Sequence, residues 1–337
     1  MKTFILTTAV AALAATGALA QDFELRFQSS DPAGNPNFEL QQQWTEMVSE
    51  MSDGRVSVEL LPVESIVAYT ETQDAIAAGL LDGHITDTSY FAGKDPAFGL
   101  IANPVGAWSA PEEMFAFMRE GPGGEMMDGL LEPYGLKFLG ATTPGLEAFV
   151  SDVPLDSVAD LEGLRMRAPE GLVQQVFAAA GAAPVNLPGS EVFTSLDKGV
   201  IDAADYSVFS TNQAQGLNDV ARHPVYPGFH SMPLVEVSMN LERFNEMPED
   251  LQQVMIDSVE AFADMQVAAL RAADEAAVAE AEASGSVTVH DWPAEERAAF
   301  RSIAMGEWET VADGSENAKM VFDTLTGYLR DNGLISE

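Results

Sequence analysis

Between Phe23 and Gly83 the hydrophobic period switches repeatedly, and that alternation restricts the fold more than any other feature of the chain. In "DFELRFQSS" the apolar Phe23, Leu25 and Phe27 alternate with polar residues, the period of a half-buried strand. "NFELQQQWTEMVSEMSDG" then places Phe38, Leu40, Trp44, Met47, Val48 and Met51 at helical spacing and stops at Gly54. "RVSVELLP" returns to alternation through Val56, Val58 and Leu60, and "TETQDAIAAGLLDG" reads as a second helix. This β-α-β-α order predicts an α/β lobe with helices on a sheet, in which ligands bind at the carboxyl ends of the strands.

A chain of 337 residues exceeds one such lobe, since domains run to about 100–200 residues. "GLKFLGATTPG" reads as a strand entering a turn, and "FVSDVPL", "LRMRAPE" and the Gly/Pro-rich "AAGAAPVNLPGS" suggest a second lobe. "LVEVSMN" is a further strand, crossing back towards the first lobe. No repeat stands out. The longest periodic segment runs from Pro248, suited to the first helical position, to a stop at Gly285, with Leu251, Val254, Met255, Val259 and Phe262 on one face. Its polar face is acidic, which disfavours a membrane surface and favours a long helix packed across both lobes. The expected boundaries are a signal peptide over 1–20, lobe I over 21–145 plus about 235–260, lobe II over 146–234 plus about 285–337, and the connecting helix over about 248–284.

The first twenty residues, "MKTFILTTAVAALAATGALA", combine the basic Lys2, an apolar stretch and an Ala-Leu-Ala ending, the pattern cleaved on export before Gln21. Together with the absence of Cys, which leaves stability to a packed core, this points to a bacterial periplasm. The formal charge of −37 argues against nucleic acid and against anionic lipid headgroups. It would also repel an anionic ligand, which needs a local, desolvated cation to be captured.

Catalytic templates fail. His84, His223, His230 and His290 form no HExxH pair and have no Cys to share a metal, which argues against zinc. There is no GxSxG elbow, GxGxxG turn or P-loop, and "GPGG" at 121–124 reads as a helix break.

One stretch does suggest a site. In "GLRMRAP", read as a strand, Leu164, Met166 and Ala168 face one way and Arg165 and Arg167 the other. Pro169 ends the strand, which puts Arg167 near its carboxyl end, where a guanidinium fork can pair bidentately with a carboxylate. The residues alone favour a pair of surface arginines bridged to local acids over a binding pair.

The run "LEGLRMRAPEG…LPGSEVFTSLDKGVIDAAD" resembles the signature of the DctP-type periplasmic substrate-binding subunits of tripartite ATP-independent periplasmic (TRAP) transporters. "QDAIAAGLLDGHIT", "GKDPAF" and the long late helix follow in family order. The resemblance implies a two-lobe α/β binding protein, not an enzyme, which passes a small organic anion to the small and large membrane subunits. It implies that Arg167 holds the substrate carboxylate and leaves Arg165 a lesser role. "GKDPAF" and "YPGFH" resemble the branch that binds 2-oxo and 2-hydroxy monocarboxylates through a bridging cation. On that likeness Asp205, Tyr206 and Glu236 are the cation's ligands, and oxygen-only ligation suits Na⁺ or Ca²⁺. Asp205 and Tyr206 depart from the Glu and Trp expected there, so an amine or hydroxyl of the substrate remains an alternative to the cation. Glu147 is a further polar candidate, and Tyr90, Phe91, Tyr206 and Phe229 are candidate cleft aromatics, about half of them expected to touch ligand. The alternatives are a metal-free TRAP receptor for a dicarboxylate, sugar acid or zwitterion, and an exported hydrolase or lyase using Asp205 and Glu236 as acid and base.

Overall fold

A computed structural model describes residues 22–335, so the expected signal peptide lies outside the described residues. The chain runs β1 (Phe23–Ser29), α1 (Pro36–Met51), β2 (Val56–Leu61), α2 (Thr72–Ala77), β3 (Gly83–Asp87), α3 (Pro96–Ala102), α4 (Pro111–Arg119), α5 (Gly123–Leu131), β4 (Leu136–Thr142) and β5 (Ala148–Ser151). It continues through β6 (Arg165–Arg167), α6 (Leu172–Ala179), β7 (Ala183–Val185), α7 (Val192–Asp197), β8 (Ala203–Ser207), α8 (Phe209–Ala214), α9 (Leu217–Val220) and β9 (Val235–Asn240). Four helices close it: α10 (Leu241–Asn245), α11 (Glu249–Ser284), α12 (Ala294–Ala312) and α13 (Glu316–Asp331).

The strands form two sheets, ordered β2-β1-β3-β9-β4 and β5-β8-β6-β7. In the first, β1 pairs parallel with β2 and β3, while β9 runs antiparallel between β3 and β4. In the second, β6 pairs parallel with β7 and β8, and β5 runs antiparallel to β8. The two sheets therefore share one plan, with β6, β7 and β8 standing where β1, β2 and β3 stand. A repeat underlies it: "ETQDAIAAGLLDG" and "EVFTSLDKGVIDA" each carry a short helix, a left-handed glycine at Gly79 or Gly199, and an aspartate three residues later. Those aspartates act alike. Asp82 accepts from the Arg26 main-chain N–H on β1, and Asp202 holds the Arg165 side chain on β6.

Local signals explain the helix starts. Asn35 caps α1 by accepting from the Asn37 N–H, with Pro36 at the first position. Asp95 of "GKDPAF" does the same for α3 and also accepts from Ser315 Oγ and Asn317 Nδ2, tying down α13. α11 ends where Gly285 adopts φ 65°, and Pro248 stands one place earlier than expected, at the cap.

α11 packs on β4 and α1 on one side and on α8 on the other, so it spans both sheets. Trp44 is fully buried beneath it and donates Nε1–H to Ser258 Oγ at 3.0 Å; removing a ring of this size from water contributes about 1.5–3 kcal/mol. A second apolar cluster joins Phe98 and Phe117 on the first side to Phe149, Phe177, Trp292 and Trp308 on the other. Of the stretch 285–337 expected with the second lobe, the described part straddles the two: α12 leans on α6 and α3, and α13 packs on α3 and α5.

Candidate functional site

A cleft of about 110 Å³ opens between the two sheets, and its polar walls come from strand ends. β1 delivers Ser30 and Asp31, β3 delivers Asp87, β6 delivers Arg167, and β8 carries Asp205 and Tyr206. These are the carboxyl ends of parallel strands, where helix-covered sheets leave a crevice.

The two strand arginines have separate fates. Arg165 is exposed and forks onto Asp202, Nε to Oδ2 at 2.9 Å and Nη2 to Oδ1 at 2.5 Å. Arg167 is buried in the cleft, donating from Nε to the Leu187 carbonyl at 3.1 Å and from Nη1 to the Asp205 carbonyl at 2.6 Å. The nearer Asp205 carboxylate oxygen stands 3.9 Å away. Met166, between the arginines, is fully buried in the core, so the alternation of the strand separates packing from binding.

Opposite Arg167 three buried groups converge. Glu147, Asp205 and His230 each place one donor atom within 4.8 Å of the others, and His230 Nε2 lies 3.6 Å from Asp205 Oδ2. Asp205 Oδ2 and both ring nitrogens of His230 are buried without hydrogen-bond partners. A glycine brings them together. The Gly228 backbone sits so close to Glu147 that a Cβ there would fall 1.6 Å from the Glu147 carbonyl oxygen, and the Glu147 N–H donates to the Ser231 carbonyl at 2.8 Å.

Burial governs the charges. It pushes the Glu147 carboxyl well above the usual range, with Asp205 adding repulsion. It holds Asp31 and Asp87 up at about 6 against an ordinary 3.8, although Gln41 and Ser89 respectively donate to them. It drives His230 down to about 4, so the imidazole is neutral at pH 7. Burial first, then Asp31, pushes Tyr206 up to about 12, which keeps its hydroxyl protonated. Tyr90 is raised further, by burial and then Asp87.

The structure brings Arg167, Glu147, Asp205, Tyr206 and Tyr90 to the cleft. It does not bring Glu236, expected beside Asp205. That side chain points into the first lobe, where Oε1 pairs with His84 Nε2 at 2.7 Å and Oε2 accepts from Thr88 Oγ1 at 2.9 Å. Strand alternation is the reason, for Val235 takes the cleft position and Glu236 the opposite face. Phe229 also lies outside the cleft, stacked on Trp292 at 3.8 Å between centroids, and Phe91 stacks on His84. The sequence reading did not single out the cleft groups Asp31 and Asp87 at strand ends, Glu64, and Gln41, which links Ser29 and Asp31, nor His230 inside "YPGFH", which lies behind the cleft and reaches the cluster through Asp205.

Five carboxyl groups, Asp31, Glu64, Asp87, Glu147 and Asp205, thus line a cleft containing one guanidinium. An anion entering it needs a compensating positive charge or protonated acids. The unpartnered Asp205 oxygen and His230 nitrogen beside Glu147 supply two carboxylates and one neutral imidazole, a mixed oxygen and nitrogen donor set, in place of the oxygen-only set expected from the sequence, that can hold a cation.

The model of the DctP family, bacterial extracellular solute-binding protein family 7, matches residues 27–314. A monocarboxylate 2-oxoacid-binding periplasmic protein of Nostoc sp. is 29% identical over 211 residues, 61% of this chain but only 57% of that relative's length. The crystal structure of a TRAP periplasmic solute binding protein from Rhodobacter sphaeroides, in an apo open state, is 62% identical, with a TM-score of 0.79 over 93% of this chain and 100% of that one. A TRAP periplasmic solute binding protein from Pseudoalteromonas atlantica, with bound sodium and pyruvate, shares the fold at a TM-score of 0.82 and 22% identity, over 92% and 94% of the two chains. These relatives are binding proteins rather than enzymes. The match over most of the chain, with the two-lobe fold, makes this protein a member of the DctP family of bacterial extracellular solute-binding proteins.

Proposed function

We propose that the protein is the periplasmic receptor of a TRAP transporter for a small 2-oxo or 2-hydroxy monocarboxylate, bound together with a cation. The observation that carries this reading is the single buried guanidinium of Arg167 facing the converged Glu147, Asp205 and His230. Arg167 would take the ligand carboxylate, its fork held in place by the Leu187 and Asp205 carbonyls. Glu147, Asp205 and His230 would hold the cation, which neutralises acids that otherwise repel one another and an oxygen of the ligand. Tyr90 and Tyr206 would pack on the ligand from either lobe. Both the Nostoc protein, named for 2-oxoacids, and the Pseudoalteromonas structure, with sodium and pyruvate, support that chemistry. Release of the unchanged ligand to the membrane subunits completes the role.

Thermal-shift screening of mono- and dicarboxylates, with and without EDTA and in sodium-free buffer, tests the proposal. Stabilisation by a 2-oxo or 2-hydroxy acid that weakens when cations are removed is the expected result. Stabilisation by another anion, indifferent to EDTA and sodium, would leave the receptor role standing and overturn the cation bridge.

A further inference from the structure

A second cavity, of about 200 Å³, lies behind the cleft and is lined by Trp108, Ser109, Phe229, His230, Arg297 and Arg301 among others. The loop 228–232 divides the two spaces: Ser231 lines the cleft, whereas Gly228, Phe229 and Met232 line the rear cavity. His230 is shared, lining the rear cavity while its Nε2 approaches Asp205.

The charge of this cavity is opposite to that of the molecule. In a chain with 53 acidic residues, no carboxylate lines it, and both of its cations come from one face of α12, four residues apart. Arg297 is held rigidly, donating to the carbonyls of Trp292, Pro227 and Gly228, with exposed Asp291 at its outer side. Arg301 differs. It is half-buried against the Gly106 turn, makes no ion pair among the described residues, and its Nε is buried without a partner. The wall beyond it is the almost fully buried His230, both of whose ring nitrogens are also unpartnered. A desolvated guanidinium donor left unmade is costly, and an acceptor in the cavity would satisfy it.

We propose that this rear cavity is a second binding site, for a small oxyanion held by the Arg301 fork and the fixed charge of Arg297. A planar carboxylate or a tetrahedral phosphate suits a guanidinium fork equally, whereas a bare halide would engage it at a single point. Arg167, Glu147 and Asp205 do not line this cavity, and the two arginines rather than the shared His230 carry the anion, so the site stands or falls independently of the reading of the cleft.

The test is isothermal titration calorimetry of the exported chain with inorganic phosphate and, separately, with acetate, at an ionic strength held constant with sodium chloride. Saturable binding of at least one of the two anions is expected. Arg301→Gln should weaken it by roughly tenfold or more, and Arg167→Ala should leave it unchanged. Ser109→Asp, an exposed change at the cavity mouth, should weaken it too and carries the test if Arg301→Gln does not fold. No saturable heat with either anion would overturn the proposal. So would binding that survives Arg301→Gln or Ser109→Asp but disappears in Arg167→Ala, since the anion would then occupy the cleft.

Discussion

The Arg167 guanidinium lies 2.6 Å from the main-chain carbonyl of Asp205 and 3.9 Å from its carboxylate. Asp205 thus anchors the arginine through its backbone and leaves its own side chain beside Glu147 and His230. One residue serves both halves of the site, the carboxylate clamp through its carbonyl and the cation cluster through its carboxyl group.

Replacing Arg167 by alanine should weaken carboxylate binding by about 2–5 kcal/mol, because a buried carboxylate would lose its charged partner. Calorimetry with the ligand found by screening measures this, and an unchanged affinity would remove Arg167 from the site. Arg165→Ala should cost less than 1 kcal/mol or so, since its ion pair with Asp202 is exposed.

His230→Ala should abolish the dependence of ligand binding on added cation while leaving a weakened, cation-independent affinity. A melting curve recorded with ligand, with and without EDTA, reads this directly. If the EDTA response survives in the variant, the imidazole is not a ligand of the ion.

Glu236 offers a contrast. Glu236→Ala would strand His84 and Thr88 in the core and should destabilise the fold by about 3 kcal/mol or more, whereas Glu236→Gln, which keeps a hydrogen-bonding group in place, should cost far less. Since Glu236 faces away from the cleft, Glu236→Gln should leave cation affinity within about twofold of the parent. A large loss of cation affinity would return this residue to the ligand set.

The pH dependence of the unliganded protein follows from the same burial. Asp31 and Asp87 have folded values near 6 against 3.8, so the folded state keeps protons that the unfolded state has lost. Their contribution is fully present below about 3.8 and lost as pH rises through about 6, and Glu147 acts in the same direction above its ordinary 4.5. His230, held down to about 4 from 6.5, opposes them between those two values. Among these cleft groups three carboxyls act against one imidazole, so the cleft's own contribution to stability falls as pH climbs from about 4 to 6. Cation binding, which needs Glu147 ionised, should strengthen over the same rise, so the gap between liganded and free melting curves should widen. A gap that narrows would contradict the assignment.

Gly228→Ala should lower both stability and cation affinity. The added carbon would meet the Glu147 carbonyl, and the loop carrying His230 must retreat, at a cost of about 1–3 kcal/mol or more. Denaturant melts combined with cation titration would show whether the two losses occur together.

Much of this arrangement could be read from residue order. The alternation over 23–83 announced the first sheet, and the Arg strand announced its own split, Met166 inward and Arg167 into the cleft. Glu236 was misplaced because the resemblance identified an acid without saying which face of β9 it occupies, and in a strand one residue of register decides that. The pocket acids Asp31 and Asp87 carried a usable signal, an aspartate at or just past the end of a strand. His230 sits inside the "YPGFH" stretch that carried the resemblance, but its role was not legible, because its neighbours Glu147 and Asp205 are far away in sequence and the loop bearing it is brought to them by the backbone contact at Gly228. The shared plan of the two sheets was present in "DAIAAGLLDG" and "TSLDKGVIDA", but within them only the glycine and the aspartate after it are identical and three further positions merely apolar, too little to stand out before the strands were seen side by side.

α11, with 36 residues at 1.5 Å each, is a beam of about 54 Å laid across both sheets. A beam resists stretching far more than it resists a neighbour swivelling on it, so the jaws on either side of Arg167 can swing but cannot slide apart. Spin labels placed at the two ends of α11 should report one fixed separation throughout capture and release, while a pair straddling the mouth of the cleft should report two.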